Sequence, residues 1–381
     1  MFKNFFLAFV LFTTSTLIAQ TNVNNIYSYH HIGFFEQNEN AFQMALGGVR
    51  YGIIDSAYAN GSNVAVLPYH SKGQPIFSLD VTGRVSFFES ADGSANTRVA
   101  YLRGINFSIP FANNFGLGFG FRPVFSKGYR FNELQAIPGD SLNRIYMGKG
   151  NVQQTYLSFA VAPINNRKTL LSFGAEANFN FGQPTDVRAA EFVNFSFSNA
   201  ANIMSDTIRG FGYKASFAFK SEISEFFTFS LGGSYSLSTS WNTRTTDRLL
   251  GYAGNYGVNH QVTQILNDFQ GSGSFTTPSV LGIGFGMDLH PVGFSLNTRR
   301  KSKIRIHGDF ETISWENFGR TLGNVPDTSF NYQNTRAYRF GFEYTPHRIA
   351  LDKAPGLSYM SKISYRFGLN LSQIALPNET L

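Results

Sequence analysis

The chain of 381 residues has room for one large domain or two ordinary ones. It contains no cysteine, which excludes disulfides, a lipid-anchored cysteine and thiolate metal sites, and only 14% of its residues are charged, against about 25% in an ordinary soluble domain. The net charge of +7 is scattered along alternating segments, and with an export signal at the N-terminus this argues against a nucleic-acid partner.

The first element is that signal. Residues 1–19 carry Lys3, the apolar run Phe5–Phe12, a polar stretch and the small Ala19, the pattern of a secretory signal peptide cut near Ala19. The apolar run is roughly half the ~20 residues a spanning helix needs. No later stretch reaches that length, so any membrane residence must use strands. Residues 20–73 follow as a periplasmic segment without alternation. Its part Glu39–Tyr69 is rich in small residues and too apolar to stay solvated. The lumen of a barrel is the expected place for it, with room made by Gly116, Gly118, Gly120, Gly282, Gly284 and Gly286.

From residue 74 the pattern has period two, and eleven strands are predicted. They are Ile76–Phe88, Arg98–Ile109, Phe115–Phe125, Val152–Ala162, Leu171–Phe181, Ile208–Lys220, a stretch from Phe227 to Trp241, Val280–Leu289, Lys303–Ile313, Arg336–Tyr344 and Lys362–Leu371. In the seventh, Phe227, Phe229, Leu231 and Tyr235 share one face and Thr228, Ser230, Ser234 and Ser236 the other. The length of these strands matches a tilted membrane strand, and a closed barrel is the way strands span lipid. In the second strand Arg103 falls among apolar positions, and a bulge at Arg103–Gly104 would turn it away from lipid.

The connections alternate between tight turns and long polar loops, the latter at Lys127–Asn151, Gly182–Thr207, Asn242–Pro278 and Ser314–Thr335. Short turns at one end and long loops at the other mark an outer-membrane barrel, which has lipid and lipopolysaccharide around it. The expected fold class is therefore an all-β transmembrane antiparallel barrel over residues 74–381, with the N-terminal segment as a lumenal plug. Bacterial single-chain barrels have even strand numbers, so eleven suggests a sequence that stops short of a fourteen-stranded barrel.

The leader and the strands after it resemble the FadL-type outer-membrane transport family. Met44-Ala45-Leu46-Gly47-Gly48 and Asp55-Ser56-Ala57 match the family's small-residue stretch and the acidic residue after it. The Asn-Pro-Ala hatch motif is absent, and Asn63–Pro68 stands in its place. Gly118–Pro123, Gly341–Pro346 and Tyr365–Gly368 are further echoes. The resemblance implies a fourteen-stranded barrel with an N-terminal plug, Gly47, Gly48 and Asp55 among the plug residues, and passage of small hydrophobic molecules. A PorV-like branch of the family implies instead an adaptor of type nine protein secretion.

The residues themselves carry no enzyme signature. There is no Gly-x-Ser-x-Gly elbow, no His-Glu-x-x-His, and no metal-ligand spacing among the seven histidines. No cofactor is expected. His307 and Asp309 share a strand face, as an acid–base pair or as lumen lining. The lumen face carries both signs, from Asp80, Arg84, Arg122, Glu176, Lys214, Lys220, Asp288, Arg305, Asp309, Glu311, Arg339, Glu343, Lys362 and Arg366. This reads either as a salt-bridge network steadying the wall or as a polar path for an amphipathic solute. Arg305, Arg339 and Arg366 on the last three strands are the candidates for a carboxylate, which Arg binds well. Phe42, Met44 and Leu46 are the candidates for an apolar pocket at the plug. Two functions stand at this point: uptake of a small hydrophobic or amphipathic solute, or docking of a secretion-machinery protein on the long loops. A plain diffusion porin is the third.

Overall fold

A computed structural model describes residues 25–29, 32–37, 39–70, 72–90, 93–193, 198–290, 302–322, 325–326, 332–346 and 359–375. The signal peptide and the expectation of three further strands lie outside these residues. Seventeen strands are described: β1 (Phe34–Phe35), β2 (Ile76–Ser90), β3 (Gly93–Ala112), β4 (Phe115–Ile137), β5 (Asp140–Asn165), β6 (Thr169–Gly182), β7 (Thr185–Phe192), β8 (Asn199–Ser224), β9 (Phe227–Ser236), β10 (Ser240–Ala253), β11 (Gln261–Thr276), β12 (Ser279–Leu289), β13 (Lys303–Ser314), β14 (Gly319–Leu322), β15 (Val325–Pro326), β16 (Thr335–Thr345) and β17 (Tyr365–Ser372). One short helix, α1 (Ala41–Met44), precedes the wall, capped by a reciprocal Asn40–Gln43 pair.

Eleven of the strands make the barrel wall, in the order β2, β3, β4, β5, β6, β8, β9, β12, β13, β16 and β17. Each neighbouring pair is antiparallel. Every predicted strand is present, although the seventh ends at Ser236 and Trp241 belongs to β10. The alternation does what period two dictates. On β16, Tyr338, Phe340, Phe342 and Tyr344 are exposed outward, while Arg339, Gly341 and Glu343 are buried inside. An outer face of this kind suits lipid, and a polar inner face suits a lumen.

Arg103 sits on the predicted bulge. Asp80 pairs with Gly104 and Val81 with Leu102, so Arg103 has no cross-strand partner of its own. Parity flips there: Phe107 and Ile109 point out below it, and Tyr101 is buried above it.

The long connections are the main departure from the sequence reading. Between β4 and β11 they are largely strands rather than loops, while the 314–335 connection carries the short β14 and β15 among its described residues. The 127–151 connection is the outer part of a single β4–β5 hairpin, in register up to Ile137 and Asp140. Its turn is Pro138–Gly139, with Gly139 at φ +83°. β7 pairs with the outer halves of β5 and β8. β10 pairs with the outer part of β8 and with β11. The wall between β4 and β11 therefore rises beyond the barrel as a sheet with its own core of Ile145, Val187, Ala189, Ala201, Tyr252 and Tyr256. We call this end the rim, and the end with the tight turns at 113–114, 166–168 and 225–226 the base.

Candidate functional site

The N-terminal segment runs inside the wall from rim to base. At the rim, the amide of Asn25 donates to the Gly128 carbonyl at 3.0 Å. Tyr29 meets Tyr129 edge-on at 5.2 Å. Phe34 and Phe35 form β1 against Ser126 and Phe125 of β4, above the point where β3 leaves β4.

The segment then crosses the lumen over glycines of the wall. Leu46 lies on Gly341, where an added Cβ would come within 2.8 Å of the Leu46 carbonyl oxygen. Gly47 lies on Gly368, Tyr51 on Gly282 and Gly52 on the backbone of Phe285, between Gly284 and Gly286. Ala65 lies on Gly174 and Leu67 on Gly116 and Gly118. Gly120 does not serve the segment; it faces Tyr156 and Ile105 of the wall. In the place of the missing hatch motif, Asn63 caps a 3-10 turn, Val64–Tyr69, and its side-chain amide donates to the carbonyls of Tyr51 and Phe217 at 3.0 Å each.

Charges fix the crossing. The Asp309 carboxylate accepts from the backbone amides of Arg50 at 2.6 Å and Tyr51 at 2.9 Å. Glu311 accepts from the Arg50 guanidinium, from the Tyr51 hydroxyl, and from Arg339 at 2.9 Å. Arg339 also reaches Gln37 at 3.0 Å and Glu39 at 3.9 Å. Arg103 donates to the Gln37 carbonyl at 2.5 Å. A second layer joins Arg122 to Glu176 at 2.5 Å and to the Gly61 carbonyl at 3.0 Å, with Lys214 on the same Glu176 at 3.1 Å and on the same carbonyl at 2.8 Å. Buried charges of this kind persist only when paired and hydrogen-bonded.

Of the three candidate arginines, Arg305 and Arg366 both face Glu343, while Arg339 lies four residues further along β16 opposite Asp309, and carboxylates of the protein meet all three. Arg305 pairs with Asp55 at 2.7 Å, Arg339 with Glu311, and Arg366 with Glu343 at 3.1 Å. Arg366 also lies 4.7 Å over the Phe42 ring. Burial raises the Asp55 carboxyl, but the Arg305 charge and the Ala57 amide outweigh it and hold the group below its ordinary 3.8. Among the apolar candidates, Phe42 stacks on Tyr58 at 4.1 Å and packs with Leu46, Val49 and Ile53. Met44 is exposed, with the Arg103 guanidinium 2.9 Å from its sulfur. Gly47 and Gly48 both have positive φ, +71° and +82°. Asp309 is committed to leader amides rather than to His307.

Toward the rim the bore fills with Ile32, Val124, Phe125, Val152, Ile208, Trp241, Phe275, Ile313, Trp315 and Phe318. Sequence reasoning missed this cluster. Its aromatic members Trp241, Phe275, Trp315 and Phe318 lie at the edges of what read as polar loops, and they were the available signal. Between the aromatic cluster and the charged layers lies a cavity of about 130 Å³. Phe35, Phe125, Leu237, Trp241 and Val280 line it on one side, and Arg50, Arg122, Lys214 and Glu311 on the other.

The BamG family model matches residues 1–379. The chain belongs to the BamG family. It is an outer-membrane β-barrel protein, in accord with the FadL-type resemblance of its sequence. Two solved structures are similar to it. One is the CymD monoaromatic hydrocarbon channel, 12% identical, with 91% of this chain and 86% of that one covered and a TM-score of 0.49. The other is the Ralstonia pickettii toluene transporter TbuX, 13% identical, covering 91% and 88%, with a TM-score of 0.45. No curated protein matches this BamG-family chain in sequence.

Proposed function

We propose that this BamG-family chain is a filled barrel that works by holding another protein at its rim, rather than by conducting solutes. The observation that carries this is the Arg50–Glu311–Arg339 layer, which ties the N-terminal segment to the wall across the bore with all three side chains at most 5% exposed. The segment then acts as a permanent plug. A gate that opened would have to leave these charges unpaired, at several kcal/mol each. The raised sheet from β4 to β11 supplies the working surface, and a secretion-machinery protein is the kind of partner the sequence suggests.

The cavity favours a second reading, uptake of a small hydrophobic or amphipathic molecule. Its apolar and charged sides would suit such a solute, although about 130 Å³ is small beside the ~300–1,000 Å³ of ordinary ligand pockets.

Native mass spectrometry of the full-length protein, extracted gently from its own outer membrane, separates the two. The docking reading expects the barrel to fly with a second polypeptide and no lipophile. A small lipophile retained by the wild type and lost on Trp241→Arg would overturn it in favour of uptake.

A further inference from the structure

We propose that the open edge of β11, residues 261–272, takes up an extended segment of a different polypeptide by strand addition. The proposal rests on the docking reading and names its mode.

β11 pairs with β10 from Gln261 to Thr276, with bulges at Thr263 and Leu266, but on its other side β14 reaches only Gly273–Thr276. Among the described residues nothing else is in register with it. The remaining edge is a row of backbone donors and acceptors, and the group that matches such a row is another strand. Every residue from Gln261 to Gln270 is exposed, so both faces of the strand are wet, unlike a wall strand with an inner face.

Natural edges are guarded by lysine, proline, inward charge or bulges. This one has neither residue, and its single charge, Asp268, is bound to Arg248 of β10 at 3.1 Å. It instead exposes Val262 at 53%, Ile265 at 62%, Leu266 at 51% and Phe269 at 49%. The bulges at Thr263 and Leu266 leave residues 267–272 as the regular part of the row, and an apolar edge with neither lysine nor proline is an association site.

A second copy does not fit the row. The wall contains the membrane normal, so the two-fold axis that makes antiparallel β11–β11 pairs lies in the membrane plane and inverts one copy. A two-fold along the normal sets equivalent groups opposite each other, donor against donor. The occupant is therefore a strand from another chain, reached at the rim.

The absence of native cysteine allows a direct test in intact outer membranes. Asp268→Cys and Gln270→Cys are labelled separately with benzophenone maleimide, irradiated, and the adducts sequenced by mass spectrometry. Leu134→Cys, exposed at the tip of the β4–β5 hairpin, is labelled in parallel. Strand addition expects both β11 labels to capture the same polypeptide, with the attachment site displaced by two residues between them. It also expects Phe269→Lys, checked for folding by heat-modifiable migration, to reduce capture at Gln270→Cys at least tenfold. Capture by Leu134→Cys alone, or β11 adducts without the two-residue displacement, overturns strand addition and leaves rim docking standing. Adducts with a second copy or with lipopolysaccharide only also overturn it. No adduct at any label sinks rim docking as well.

Discussion

Gly47 crosses Gly368 so closely that a Cβ built on Gly368 would fall 1.9 Å from the Gly47 amide nitrogen. Backbone lies against backbone there, so no side chain can rotate away. Gly368→Ala is expected to destabilise the seated segment by about 1–3 kcal/mol, the usual cost of overpacking. Gly83→Ala, where an added Cβ meets nothing within 4 Å, is the control and should be neutral. The measurement is the heat-modifiability midpoint of each variant, and equal midpoints would contradict the contact.

Glu311→Gln removes the carboxylate shared by Arg50 and Arg339. Two guanidiniums are then buried with half their compensation gone, and a loss of about 3–5 kcal/mol is expected. Arg144→Gln breaks an exposed pair, 4.0 Å from Glu133, and should cost about 0–1 kcal/mol. Protease cleavage within residues 39–70 should accelerate for the first variant and not for the second.

Two barriers lie in series along the bore, the aromatic cluster and the Arg50 layer. Trp241→Ala opens space only in the first. The wild type and Trp241→Ala are each expected to pass no ion current above background in planar bilayers, whereas Trp241→Ala with Glu311→Gln should conduct. Current through the wild type would contradict a filled lumen.

The base end of the segment should respond to pH through His70. Burial pushes this imidazole below its ordinary 6.5, against the pull of its contact with the Tyr58 carbonyl at 3.1 Å. A base whose folded value is depressed contributes stability that is complete above 6.5 and lost as pH falls below it. Asp55, also depressed, acts in the same direction only below 3.8. The protection factors of amides at residues 64–70, with the intrinsic pH dependence of exchange divided out, should therefore fall between pH 7 and pH 5, and His70→Gln should abolish that change.

The wall was legible because each strand has one greasy side. Phe340 and Phe342 against Arg339 and Glu343 write their placement into period two. Arg103 was legible as a bulge because a charge in an apolar row has few other ways to avoid lipid. The rim sheet was not legible for the converse reason. Gln261 to Gln270 are wet on both faces, so no alternation is imposed and the stretch reads as loop. The N-terminal segment's glycine partners at 116, 118, 282, 284 and 286 could be read in advance, since small residues in a row leave room. The fate of the three arginines could not. Asp55, Glu311 and Glu343 meet them, and Asp55 does so from 250 residues away in sequence, so charge composition alone does not say who faces whom.

The bond from the Arg50 amide to Asp309 spans 259 residues of chain. The stretch that is synthesised and exported early thus has its seat among strands made late. Before β13, β16 and β17 are in place, Leu46, Gly47 and Arg50 have nothing to rest on. Contacts of such long separation form slowly. The seating of the N-terminal segment is accordingly a closing event in assembly, and a cell that holds this barrel half-built must shelter the unseated segment 39–70 until the last strands arrive.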